Sequence, residues 1–196
     1  MSDQLTLVFV TILAYGLGSI PFGLVFTRLS GKGDIRQTGS GNIGATNVLR
    51  TGSKLLALAT LLADAAKGFV AVAVAWRLAG DQGAMIAAVL SLLGHVFPVW
   101  LNFKGGKGVA VFIGAMLMLS PLTGLVFLAV WALVAVFTRR SSLAALVALA
   151  CAPLVLFVLG EMLALQACVI MVLLCFWAHR ENISRLVSGT EPKIGQ

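Results

Sequence analysis

Charge is scarce in this chain. Of its 196 residues, 11% are charged, against about 25% in a soluble domain, too few to cover a globule in water. The seven acidic residues are scattered and do not suit a divalent-metal cage. Histidine is limited to His95 and His179. They form no His-x-x-x-His pair, and neither has an aspartate five residues on, so the spacing calls for no metal. Cys151, Cys168 and Cys175 all lie in apolar runs; their spacing fits neither a metal site nor a disulfide framework, and they read as small packing residues. The first residues include Ser2, Asp3 and Gln4, without the basic region and small-residue cleavage site of a signal peptide, so the first span is expected to be retained. No internal repeat or low-complexity linker is visible. The alternating ten-residue segments of a membrane barrel are missing too.

What is there is apolar: 60% hydrophobic residues and a mean hydropathy of +1.03. Runs cover 4–29, 55–77, 83–101, 109–138, 142–159 and 162–178, and a bilayer core of about 30 Å asks for about 20 residues per helix. The 30-residue run is interrupted by Ser120-Pro121. Charge parity resolves it. Twelve of the fourteen basic residues fall in the connections that hold Arg28 to Lys54, Lys104 with Lys107, and Arg139 with Arg140, and in the tail from Arg180; Arg77 and Lys67 are the others. The positive-inside rule places the twelve in the cytoplasm. That requires 109–138 to split near Pro121 into a short or tilted span, 109–119, and a second, 121–138. The expectation is one all-α integral membrane domain over 1–196 with seven transmembrane helices, N-terminus outside and C-terminus cytoplasmic. The net charge of +7 then reflects cytoplasmic loops and anionic ligands or lipid heads, not nucleic acid.

Polar residues gather in four segments. Between Arg36 and Arg50 lie Gly39, Ser40, Gly41, Asn42 and Asn47, of which the glycines and asparagines are candidate phosphate-binding residues. Glycines admit backbone N–H groups close to an oxyanion, and arginine adds a planar fork suited to phosphate. Lys104-Gly105-Gly106-Lys107-Gly108 precedes a helix, where N–H groups and dipole favour an anion; it lacks the spacing and Ser/Thr of a Walker A motif. Thr138 to Ser142 carries two arginines that snorkelling explains. His179, Asn182 and Arg185 fall near one helical face, ahead of Glu191. Asp64 and Lys67, three apart within a span, read as a structural ion pair. His95 reads as a packed or headgroup-level histidine.

Together the segments GSGNIGATNVLR at 39–50, FKGGKGVA at 103–110 and HRENISRL at 179–186 resemble the three cytoplasmic motifs of the acyl-phosphate:glycerol-3-phosphate acyltransferases, the PlsY family. The likeness runs nearly end to end and includes GSIPFG at 18–23 and Gly94-His95-x-x-Pro98. The resemblance implies a bacterial inner-membrane enzyme, its active site on the cytoplasmic side. It would move a fatty acyl group from acyl phosphate to the 1-hydroxyl of glycerol-3-phosphate, giving lysophosphatidic acid, without cofactor or metal. By motif position, Ser40 and Arg50 match the essential serine and arginine of the first motif. Lys104 with Gly105 to Gly108 matches the phosphate loop. Ser142 matches a site serine, His179 and Asn182 match the polar pair of the third motif, and Glu191 matches a structural glutamate. Lys104, Arg50, His179 and Asn182 are expected to hold glycerol-3-phosphate, while Gly39, Ser40, Gly41 and Asn42 face the acyl phosphate. The main rival is a transporter or channel for a phosphorylated solute, but transporters commonly show repeated halves and mid-membrane polar groups. A CDP-alcohol phosphotransferase would need a multi-aspartate motif that is missing.

Overall fold

A computed structural model describes residues 3–194; Ser2 and the side chain of Asp3, on which the retained-first-span reading partly rests, lie outside the described residues. The helices are α1 (Asp3–Gly18), α2 (Phe22–Leu29), α3 (Ala45–Leu49), α4 (Lys54–Val96), α5 (Val109–Leu119), α6 (Pro121–Thr138), α7 (Ser141–Leu159), α8 (Met162–Ala178) and α9 (Arg180–Val187). No strand occurs among the described residues.

The local sequence explains where these helices stop. Pro121 opens α6 at the first helical position, where its missing N–H is no loss, so 109–138 breaks where expected. Gly160 closes α7 with φ 73°, the left-handed cap that glycine adopts without strain. The run 4–29, expected to be one helix, is two. Its chain leaves the helix before Pro21, and the pieces on either side are bent by 41°. Pro21 supplies no N–H and disfavours helix in the residue before it.

The runs 55–77 and 83–101 both fall largely on α4, which leaves helical geometry at Ala79 and Gly80 (φ 58°, ψ −153°). Straight, 43 residues would span about 65 Å, twice the bilayer core. Instead Lys67 Nζ and His95 Nδ1 are 2.9 Å apart, although about 40 Å of helix separates them along a straight axis. So α4 doubles back at Gly80 into two antiparallel arms, 54–78 and 81–96.

Three helical stretches are long and apolar enough to cross a bilayer: α4 with its 99–101 extension, α6 and α7. Counting α1–α2 and α8–α9 as bent spans raises the number to five, and α5 is a shorter apolar helix. Lipid-side residues are apolar, with Val136, Phe137 and Val158 each about three-quarters exposed or more. Because lipid is as apolar as leucine, association rests on close packing rather than on burial from water. The packing is close. Gly114 of α5 abuts the Ala65 carbonyl of α4, and Gly68 of α4 abuts the Val111 carbonyl of α5. Phe112, Leu92, Met116, Leu149 and Met171 fill the core shared by α4, α5, α7 and α8. This packing sets the start of α5 against the connections before α4, before α7 and after α8.

Candidate functional site

The loop from Arg36 to Arg50 is held from within. Asn47, 2% exposed, accepts from the Ser40 N–H at 3.1 Å. Its amide donates to the carbonyls of Ile35, Thr38 and Asn42 at 3.0, 2.9 and 2.8 Å. Asn47 was expected among the phosphate-binding residues; its side chain is instead committed to shaping the loop. Asn42 Oδ1 caps the Gly44 N–H at 2.8 Å. Gly39 (φ 56°) and Gly41 (φ 68°) take left-handed turns that L side chains rarely adopt, and they leave Ser40 exposed at the loop tip. At the loop's entry Arg36 and Arg28 both reach Asp34, at 2.6 and 2.7 Å. The Arg36 hydrogen bond, opposed by burial, holds the Asp34 carboxyl well below the usual carboxylate range.

The second segment departs further from expectation. Gly105 N–H donates to Val96 O at 3.0 Å and Gly106 N–H to His95 O at 2.9 Å. Those N–H groups are therefore not open to a phosphate. The two glycines serve close approach instead, since a side chain on either would overlap His95. Asn102 and Phe103 precede them with φ of 52° and 60°, a left-handed backbone that is strained for a residue such as phenylalanine. One step further along, Lys107 and Gly108 lead into the first turn of α5, whose leading N–H groups have no carbonyl within the helix.

Ser142, Asn182 and Arg185, expected to face substrate, converge on Glu191. Ser142 Oγ and Asn182 Nδ2 each donate to Glu191 Oε1 at 2.6 Å, and Arg185 Nε donates to Oε2 at 2.7 Å. Burial alone would raise the Glu191 carboxyl; the donors from Ser142, Asn182 and Arg185 bring it below its ordinary value. Asn182 Oδ1 is left buried without a partner among the described residues. His179, beyond the end of α8, lies 2.7 Å from Cys175 O through Nδ1, so that nitrogen carries a proton. Burial brings the ring down to about 4, so near pH 7 it is neutral and Nε2 is an acceptor.

These pieces line one inner cavity of about 890 Å³. Ser40, Arg50, Lys107, Gly108, His179 and Asn182 form its polar end, and Leu61, Ile113, Leu128 and Trp131 form an apolar arm between α4, α5 and α6. An outer basin of about 580 Å³ adjoins it, with Arg36, Lys104 and Arg180 around Phe97 and Trp177; Ser40, Asn42, Lys107 and Arg185 border both. Lys104 thus faces the basin and Lys107 reaches both spaces. Burial first, then the nearby Arg185, brings the Lys107 ammonium down to about 8. Sequence reasoning placed an apolar chain between helices but named none of the arm's residues, which look like any lipid-facing side chains. It also missed His95 as a wall of the inner cavity, although Gly94-His95-x-x-Pro98 was the signal that could have found it.

The fold and the cavity define a helical membrane protein with a basic, donor-rich chamber opening onto an apolar arm. Residues 8–189 match the glycerol-3-phosphate acyltransferase family, and the chain belongs to that family. It is 53% identical over 190 residues to a glycerol-3-phosphate acyltransferase of Agrobacterium fabrum, covering 97% of this chain and 93% of that one. A Rhodopseudomonas palustris counterpart is 55% identical, with 94% of each chain covered. The crystal structure of PlsY, an integral membrane glycerol 3-phosphate acyltransferase, in its glycerol 3-phosphate form superposes with a TM-score of 0.92 at 39% identity and 96% coverage of each chain. The lysophosphatidic acid form gives 0.90 at 38% identity, with 96% of this chain and 95% of that one covered.

Proposed function

We propose that this chain transfers a fatty acyl group from acyl phosphate to the 1-hydroxyl of glycerol-3-phosphate. The products are lysophosphatidic acid and inorganic phosphate, and the site faces the cytoplasm across a bacterial inner membrane. The observation that carries the reading is the inner cavity's division of labour. Arg50, Lys107 and the start of α5 supply cationic and N–H donors for phosphate. His179 Nε2 and Asn182 Oδ1 are acceptors suited to a glycerol hydroxyl. The arm lined by Leu61, Ile113, Leu128 and Trp131 suits an acyl chain.

In this reading the hydroxyl oxygen attacks the acyl carbonyl carbon, and the carbon–oxygen bond to phosphate breaks. Phosphate is a good leaving group, so positioning and oxyanion stabilisation set the rate. A ring brought down to about 4 is a weak base, whereas a phosphate monoester oxygen has a second pKa of about 6. The hydroxyl proton therefore goes to the departing phosphate, while His179 aligns the hydroxyl. Ser40 faces the acyl donor without being acylated, since no base–acid pair stands behind it. An acyl group trapped on Ser40 from acyl phosphate alone would contradict direct transfer.

The chain would cross the membrane seven times, with the two arms of α4 as separate spans and α5 as a short one, N-terminus outside. The twelve basic residues of one set of connections support that orientation. Purified protein given acyl phosphate and labelled glycerol-3-phosphate is the test. Lysophosphatidic acid formed without coenzyme A or added metal is the expected outcome; a folded preparation that forms none sinks the assignment.

A further inference from the structure

A buried polar set lies against the inner cavity and outside the three motifs. Lys67 Nζ is 2.7 Å from Asp64 Oδ1, 2.7 Å from Ile20 O and 2.9 Å from His95 Nδ1. The contacts to Ile20 O and His95 Nδ1 are hydrogen bonds and the Asp64 contact is an ion pair; an ammonium can only donate. Lys67 therefore donates to Nδ1, which fixes the remaining ring proton on Nε2. Asp64 balances the lysine's charge, so the set neutralises itself and its product is a histidine of one tautomer.

The main chain then holds that ring in place. The Gly106 N–H bonds His95 O, and a side chain at Gly106 would overlap Nε2. The ring edge thus lies against the loop one residue before Lys107 and two before Gly108, the N-cap of α5. His95 is 4% exposed and lines the inner cavity. Among the described residues Nε2 forms no hydrogen bond, and the ring borders the cavity, so its hydrogen is available to a ligand there.

We propose that His95 contacts the substrate anion: its Nε2–H, aimed by the Lys67–Asp64 pair, donates to a phosphate oxygen held at the start of α5 beside Lys107. This rests on the acyltransferase reading for the identity of the anion. Acyl phosphate and glycerol-3-phosphate both carry the group, and the kinetics tell them apart.

Two substitutions separate the two ends of the ring. His95→Asn keeps a polar atom where Nδ1 stood, so Lys67 retains an acceptor, but it ends short of Nε2. His95→Gln reaches the Nε2 position with an N–H donor. The expected result is at least a tenfold fall in kcat/KM for the substrate whose phosphate is contacted in the asparagine variant, and less than a threefold fall in the glutamine variant. A fall confined to acyl phosphate assigns the contact to the donor, and one confined to glycerol-3-phosphate assigns it to the acceptor. Wild-type turnover in the same assay reads the reaction itself, so failure there is distinct from failure here.

A second measurement does not depend on the variants being active. The chain has two histidines, so ¹⁵N-imidazole spectra of the detergent-solubilised protein contain two rings, and the signals absent from His95→Gln belong to His95. Those signals are expected to report an Nε2–H tautomer and to shift when inorganic phosphate is added. Equal loss in the two variants, no loss in either, or a His95 ring that does not respond to phosphate overturns the proposal.

Discussion

Lys107 is where residue-scale physics bears most directly on turnover. Its ammonium is brought down to about 8 by burial and by Arg185, so it is charged below that value and neutral above it. If it holds the phosphate of glycerol-3-phosphate, kcat/KM for that substrate is level below pH 8 and falls about tenfold per pH unit above it. Lys107→Arg, whose guanidinium stays charged, is expected to remove that limb even if its plateau is lower; a limb unchanged in the arginine variant would assign it to another group. Glu191 presents the opposite sign. Its folded value is lowered by Ser142, Asn182 and Arg185, so its contribution to stability is present above the unfolded value and lost as pH falls through the folded one. Glu191→Gln should flatten that acid dependence in thermal unfolding. It should also lower activity at least tenfold, because Arg185 loses its carboxylate and Ser142 and Asn182 lose a shared anchor. A variant with wild-type acid dependence would show that Glu191 does not carry it. The sequence pointed to these residues by type but not by partner. Asn47 and Ser142 look like substrate donors until the structure shows their hydrogen bonds directed at the loop and at Glu191. Which acceptor a donor finds depends on residues far away in the chain, and no local pattern encodes that.

Among the elements, α5 carries the site and α4 carries α5. The crossing of the two helices depends on Gly68 and Gly114, each set against the other helix's backbone. Gly114→Val is expected to push α5 away from α4, at the cost of about 1–3 kcal/mol typical of overpacking. Because α5 begins at Val109, beside Lys107, the same shift should lower kcat/KM at least tenfold. Gly16→Ala, on a glycine with nothing near it, is the control and should leave both stability and rate near wild type. Equal behaviour of the two variants in thermal unfolding would overturn this account of the crossing. Element boundaries were largely legible in sequence: α5, α6, α7 and α8 start and stop within a residue of the apolar runs, because Pro121, Gly160 and the Arg139-Arg140 pair punctuate them. The break before Pro21 was not read. Its flanks are apolar on both sides, and hydropathy alone cannot tell a continuous span from one interrupted by a proline.

For the whole molecule, the length of α5 decides how deep the site lies. Eleven residues reach about 16 Å, roughly half the bilayer core. If α5 crosses with its far end at the outer face, its start and Lys107 sit well below the cytoplasmic surface. A re-entrant α5 would instead keep both its ends on the cytoplasmic half. The two arrangements differ at Leu122, just past the corner and about half exposed. In a background lacking Cys151, Cys168 and Cys175, Leu122→Cys in a crossing α5 reacts with a membrane-impermeant maleimide on intact spheroplasts. In a re-entrant α5 it does not. Gln82→Cys, at the start of the second arm of α4, should label from the outside, and Ser188→Cys, in the tail after α9, only after lysis. If Ser188→Cys labelled on intact spheroplasts, the orientation drawn from twelve basic residues would be inverted. If Leu122→Cys stayed silent while Gln82→Cys labelled, α5 would be re-entrant and the number of crossings would fall from seven to five. The phosphate site would then lie close to the surface. The three cysteine positions therefore fix both the sidedness of the chamber and the distance a soluble phosphate travels to reach an acyl donor held in the membrane.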